Sequence, residues 1–203
     1  MKQLLFFLII AGLMPCNKLF SQQKTIANLT EAYRFESANS VLFDAYANQA
    51  QKEGYPQIAT FFKAVAKVAN IHAANFQTVL GKMGSTVTPG TTSVVPMSTQ
   101  IDLDEAMKSV RIEAGIKYAE YMDQAQKDGA TSAVKALRWA KETHQQSLDK
   151  YINASSALQN GKTSSLPAFY WVCPKCGNLY DVPKPEETCG FCSTERKKFI
   201  KVQ

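Results

Sequence analysis

Asn48-Gln49-Ala50-Gln51-Lys52-Glu53-Gly54 and Asp123-Gln124-Ala125-Gln126-Lys127-Asp128-Gly129 are nearly the same seven residues written twice. Each is polar and helix-compatible until a glycine stops it, which is how a helix end is punctuated. Amphipathic segments lie on both sides of each copy. Before the first copy, from about Asn28 to Lys52, Leu29, Tyr33, Glu36, Ser40, Phe43 and Ala47 recur at three-and-four spacing. After it, Pro56 opens a second stripe of Ile58, Phe61, Val65, Ala69, His72, Phe76 and Val79, which stops around Gly81–Gly84. The third stripe, from about Asp102 to Lys127, is Leu103, Met107, Val110, Glu113, Lys117 and Tyr121. The fourth, beyond Gly129, is Ala133, Leu137, Ala140, His144, Leu148 and Tyr151. Ser85–Thr99 has no helical period and reads as a long connection. Two helical hairpins joined by one long crossover predict a mainly α four-helix bundle over residues 22–160.

At 203 residues and 22.5 kDa the chain has room for this bundle and one small module. With 45% hydrophobic and 20% charged residues it is not a disordered chain, a collagen or a multipass membrane protein. The net charge of +6 is spread thinly: residues 22–160 hold fourteen Lys+Arg against thirteen Asp+Glu, and 161–203 hold seven against four. No basic stripe appears along the bundle, so no nucleic-acid partner is expected. Lys2, the uncharged run Leu4–Met14, Pro15 and a small Ser21 follow the order of a secretory signal over residues 1–21. The expected mature protein begins at Gln22 and is exported, periplasmic and off the membrane. The lesser alternative is a lipoprotein anchored at Cys16, although Met14-Pro15 lacks the small residue such processing needs.

The other four cysteines fall in the last thirty-one residues. Gln159–Ser165 is polar, and a flexible linker is expected over 161–168, ahead of a separate module at 169–203. In that module Cys173-Pro174-Lys175-Cys176-Gly177 and Cys189-Gly190-Phe191-Cys192 make two CxxC knuckles. Each knuckle turns two sulfurs and several backbone amides toward one point, so two knuckles complete a tetrathiolate for one ion. Two disulfides are the competing reading, because an exported protein can keep them; bridges inside CxxC close small strained rings and organise little. Iron and zinc both accept four tetrahedral thiolates.

Tyr170-Trp171-Val172-Cys173-Pro174-Lys175-Cys176-Gly177 together with Cys189-Gly190-Phe191-Cys192 resembles a shortened rubredoxin domain, which favours iron over zinc. A four-helix bundle followed by such a tail resembles the rubrerythrin family over almost the whole mature chain. Glu36-Ser37-Ala38, Glu53-Gly54-Tyr55-Pro56-Gln57-Ile58-Ala59 and His72-Ala73 carry the likeness in the bundle. The resemblance implies a ferritin-like fold, two irons held by carboxylates and histidines, peroxide reduction at that site, and electrons delivered through the rubredoxin-like centre. It also implies a homodimer in which one subunit's small domain approaches the other's site.

The residues depart from that pattern. Where the resemblance calls for Glu-x-x-His on the second helix stands Ala69-Asn70-Ile71-His72, and where it calls for Glu-x-x-Glu on the third stands Val110-Arg111-Ile112-Glu113. On the fourth helix His144 falls at the Glu position and Ser147 at the His position, or Lys141 and His144 in a register shifted by three. Both bridging carboxylates are missing, and two glutamates do not offset the repulsion of two adjacent divalent ions. A di-iron centre is therefore not expected. Glu36, His72, Glu113 and His144 survive, one per helix, and His72 and His144 are the chain's two histidines. They suit one divalent ion. The bland alternative is a packed core of Glu36–His72 and Glu113–His144 pairs without metal. Tyr33, Tyr118, Tyr121 and Trp139 line the interior or pass electrons. Lys141 is an exposed charge or a cation standing in for a missing ion. Three functional classes follow: a peroxide- or dioxygen-reducing enzyme, an electron carrier or redox sensor on a metal-free scaffold, and a structural zinc-knuckle protein. The redox partner is unknown in each case.

Overall fold

A computed structural model describes residues 16–93 and 95–203, side chains of 16–21 excepted. Residues 1–15 of the expected signal segment lie outside the residues so described, and of 16–21, which include the Cys16 anchor and the expected cleavage point, only the backbone is described. The bundle consists of α1 (Cys16–Lys52), α2 (Pro56–Lys82), a third helix in pieces and α5 (Thr131–Gln159). The third helix is α3 (Thr99–Ile112), a π-helical turn (Glu113–Lys117) and α4 (Tyr118–Lys127). Among the described residues no helix is long and apolar enough to cross a membrane.

The duplicated heptapeptide folds the same way twice. Tyr55 N–H donates to the Ala50 carbonyl at 2.9 Å and Gly54 N–H to Gln51 at 3.2 Å. Ala130 N–H donates to Ala125 at 2.9 Å and Gly129 N–H to Gln126 at 3.0 Å. Both are Schellman caps, and Gly54 (φ 85°) and Gly129 (φ 67°) supply the left-handed residue that such caps require. Pro56 then starts α2, where its missing N–H costs nothing. The crossover is pinned to α1: Gly90 N–H donates to Ser37 Oγ at 2.8 Å. A Cβ on Gly90 would lie 2.0 Å from the Arg34 carbonyl oxygen, so only glycine fits there.

Two hydrophobic layers fill the bundle. One gathers Phe43, Phe61, Phe62, Leu103, Val110 and Tyr151. The other gathers Leu29, Tyr33, Phe76, Leu80, Tyr118 and Leu137. On every helix the gap between the two layers holds one of the four candidate ligands, Glu36, His72, Glu113 or His144, all buried. The polar groups thus sit in a slab closed by apolar layers above and below.

Beyond α5 a 3₁₀ turn (Thr163–Ser165) leads into a three-stranded antiparallel sheet of β1 (Tyr170–Val172), β2 (Leu179–Tyr180) and β3 (Ile200–Val202), in the order β2-β1-β3. Trp171 pairs with Tyr180 on one side and Lys201 on the other. The module is packed onto the bundle. Tyr170, Val172 and Leu179 join the first apolar layer, Leu166 of the linker packs against it, and the Phe61 and Tyr170 rings lie 5.6 Å apart. Trp139 of α5 is buried among Cys173, Cys176, Cys189 and Phe199.

Candidate metal centres

All four module cysteines are free thiols whose sulfurs converge. Cys173 and Cys192 Sγ are 3.5 Å apart and Cys176 and Cys189 Sγ 3.4 Å, too far for a disulfide. They approach the roughly 3.8 Å edge of a tetrahedron with metal–sulfur bonds of about 2.3 Å. The knuckle backbones turn amides onto the sulfurs: Lys175 and Cys176 N–H toward Cys173, Asn178 toward Cys176, and Phe191 toward Cys189. The Thr194 hydroxyl lies 3.1 Å from Cys192. Bonds with Cys173 and Cys189 drive the Cys176 thiol far up, and bonds with Cys173 and Cys176 drive the Cys189 thiol down. Four acids crowded in this way ionise together only around a cation, so the site fits a tetrathiolate ion.

In the bundle slab, Glu36, His72 and His144 bring one ligand atom each within 4.8 Å of the others. Glu36 Oε1 meets three partners: His144 Nε2 at 2.7 Å, the Tyr118 hydroxyl at 2.8 Å and His72 Nδ1 at 3.2 Å. Burial alone would raise the Glu36 carboxyl, but the His144 and His72 charges and their hydrogen bonds outweigh it and hold the group at about 2. The other ring nitrogen of His72, Nε2, lies 3.1 Å from the Cys176 carbonyl oxygen. A carbonyl only accepts, so Nε2 carries the hydrogen and Nδ1 faces Glu36. A metal-ligating histidine donates its second ring N–H to a carboxylate or backbone carbonyl, and the bond from Nε2 leaves Nδ1 as the nitrogen able to ligate. Nδ1 and Glu36 Oε1 then face each other across a gap that needs one shared proton or a cation. Glu36 Oε2 is buried with no hydrogen-bond partner. These residues fit a divalent ion.

Glu113 departs from the expected four-residue site. The cluster closes without it, because Glu113 Oε1 pairs with Lys117 Nζ at 3.0 Å, and Lys117 in turn reaches Glu31 at 2.7 Å. Burial raises the Glu113 carboxyl and Lys117 offsets part of the rise. The expected Glu36–His72 and Glu113–His144 pairs are corrected accordingly: both imidazoles share Glu36. Among the described residues Lys141 forms no ion pair with the cluster, and the cation that enters the slab is Lys117. The glutamate–lysine spacing of four was visible in the sequence. Tyr118 was less so. It stands five residues beyond Glu113, and both face inward because the π turn adds a residue, with Tyr118 N–H donating to the Glu113 carbonyl. Ser147, which stands where the family pattern has a histidine, donates to the Thr143 carbonyl at 2.7 Å.

The two centres touch. Besides the His72–Cys176 bond, Asn75 Nδ2 donates to the Lys175 carbonyl at 2.9 Å. Gly177 lies so close that a Cβ there would be 2.5 Å from His72 Nε2. These contacts place the knuckle against the bundle site within the chain.

A ferritin-like bundle with a buried carboxylate–histidine cluster and an attached four-cysteine knuckle defines a class of two-centre redox metalloproteins. The sequence profile of the Rubrerythrin family matches residues 27–152, and the chain belongs to that family. A putative rubrerythrin of Methanocaldococcus jannaschii is 26% identical over 196 residues, covering 89% of this chain and 94% of its own length. Rubrerythrin of Porphyromonas gingivalis is 23% identical, covering 90% and 92%. Nigerythrin in its fully reduced, all-ferrous state superposes with a TM-score of 0.79 at 23% identity, covering 87% of this chain and 86% of that one. Iron binding and redox chemistry are what the family, together with the two clusters, assigns to the chain.

Proposed function

We propose that this protein reduces peroxide or dioxygen, with iron at Cys173, Cys176, Cys189 and Cys192 and a single divalent ion at Glu36, His72 and His144. The observation that carries the reading is the 3.1 Å contact of His72 Nε2 with the Cys176 carbonyl, which joins a cysteine of one centre to a histidine of the other. Bound in these places, iron at the cysteines supplies one-electron storage, and the bundle ion supplies a redox-active position open to a small substrate. The chain's residues do the rest. Cys176 orients His72 through that bond. Tyr118, 2.8 Å from Glu36, holds a proton at the slab. The apolar layers keep bulk water from the cluster. Charge limits the site to one ion: Glu36 is the cluster's sole carboxylate among the described residues, and Lys117 already balances Glu113.

A second reading, an electron carrier or sensor on a metal-free bundle, is favoured by the 2.7 and 3.2 Å contacts that close the cluster around Glu36. Elemental analysis with visible absorbance separates the readings. The proposed enzyme is red from its cysteine iron and holds a second metal that disappears in His72→Ala and persists in Glu113→Ala. Equal metal content in wild type and His72→Ala supports the carrier. A colourless, zinc-loaded protein removes iron from both.

A further inference from the structure

We propose that the edge of the knuckle module at Cys192, framed by Lys135, Lys175 and Lys198, is a docking surface for an acidic one-electron carrier protein. Cys192 is the one ligand cysteine of the four that is not fully buried. It opens into a cleft of about 570 Å³ whose lining includes Pro174, Lys175, Cys192 and Lys198. Lys175 and Lys198 are exposed, and neither has a carboxylate within ion-pair distance among the described residues. Lys135, also exposed, joins them through Trp139: its Nζ lies 4.9 Å from the indole centroid, and that of Lys175 lies 6.0 Å from it. The acid in the cleft, Glu195, is already taken by Lys197 at 2.6 Å. Three uncompensated cations therefore surround the accessible edge of a centre otherwise sealed by Trp139 and Phe199.

Such a surface attracts a partner of opposite charge and orients it during encounter. Because the cations frame a thiolate ligand, the partner they fit is an electron carrier with an acidic face. One electron leaves the carrier and one arrives at the four-cysteine centre, and no bond is made or broken. On the far side of that centre Cys176 meets His72, so entry and exit lie on different cysteines. The cleft also rests on the bundle, where Asn75 of α2 holds the Lys175 carbonyl, and the docking edge is fixed relative to the slab.

The inference rests on reading the cysteine centre as iron, and its test separates the two. The probe is an acidic [2Fe–2S] ferredoxin, mixed with the full chain in two forms. With iron-loaded protein, stopped-flow reduction by the reduced ferredoxin is expected to slow about tenfold or more in Lys135→Glu/Lys175→Glu/Lys198→Glu, and to slow with added salt. A control of equal charge change, Lys63→Glu/Lys82→Glu/Lys108→Glu, stays within about twofold of wild type, and dithionite reduces all three alike. With zinc-loaded protein, NMR perturbations from oxidised ferredoxin are expected around Cys192, Lys175 and Lys198. Equal slowing in both triple variants, perturbations elsewhere, or no binding overturns the docking surface. Protein that never takes up iron overturns the iron reading alone, since the zinc form still reports where the carrier binds.

Discussion

Replacing Gly177 by alanine tests the close contact between the knuckle and His72. Gly177 has φ 82°, and an added Cβ would lie 2.5, 2.9 and 3.4 Å from Nε2, Cδ2 and Cε1 of His72. Two costs add. A side chain in the left-handed region costs about 1–2 kcal/mol. Displacing the imidazole by the several tenths of an ångström needed for ordinary contact breaks its bond to Cys176, leaving a buried donor unpaired at about 1–3 kcal/mol. The expected loss is about 2–5 kcal/mol, a large share of a typical domain's stability. Gly54→Ala isolates the backbone part, because Gly54 has φ 85° and an added Cβ there would meet nothing within 4 Å. Gly190→Ala has neither feature and should be neutral. In urea denaturation followed by tryptophan fluorescence, Gly177→Ala should lose about 1–3 kcal/mol more than Gly54→Ala. Equal losses in those two variants would refute the close approach of knuckle and histidine.

Other expectations concern the charges and the crossover. Lys117→Met leaves the Glu113 carboxylate buried without its cation and should destabilise the protein by about 2 kcal/mol at neutral pH. Burial already raises Glu113, so the loss should shrink as pH falls through its folded-state pKa, as thermal melts across pH would show. Glu36 behaves oppositely. It is held at about 2 against an ordinary 4.5, so its contribution to metal-free stability is complete above pH 4.5 and lost as pH falls toward 2. Denaturation of Glu36→Gln over the same range should lack that segment of the curve. Gly90→Ala forces a Cβ onto the Arg34 carbonyl and should cost about 1–3 kcal/mol by the same melts, mostly through a displaced crossover.

The helix count, the hairpin pairing and the crossover were legible because each depends on local chemistry: a repeated capping sequence, a proline at a helix start, stripes at helical spacing. The tetrathiolate was legible because a CxxC turn aims its own two sulfurs. The module's position was not. Gln159–Ser165 looks like a loose tether, yet Leu166, Tyr170 and Leu179 complete an apolar layer whose other members, Phe43 and Phe61 among them, lie far back in the chain. Glu113 and Lys117 illustrate the same limit at the site. Both lie on the inward stripe of an ideal helix, but a π turn and the nearby Glu31 decide that Glu113 answers to lysine while Tyr118 reaches Glu36.

The sequence by itself determined which elements form and which side chains are chemically able to hold metals, since capping, periodicity and knuckle spacing act over a few residues. Only the tertiary structure decided that two histidines converge on one glutamate and that Cys176 leans on one of them. Those contacts join residues up to 108 positions apart, and their geometry follows from how helices and module pack as whole bodies.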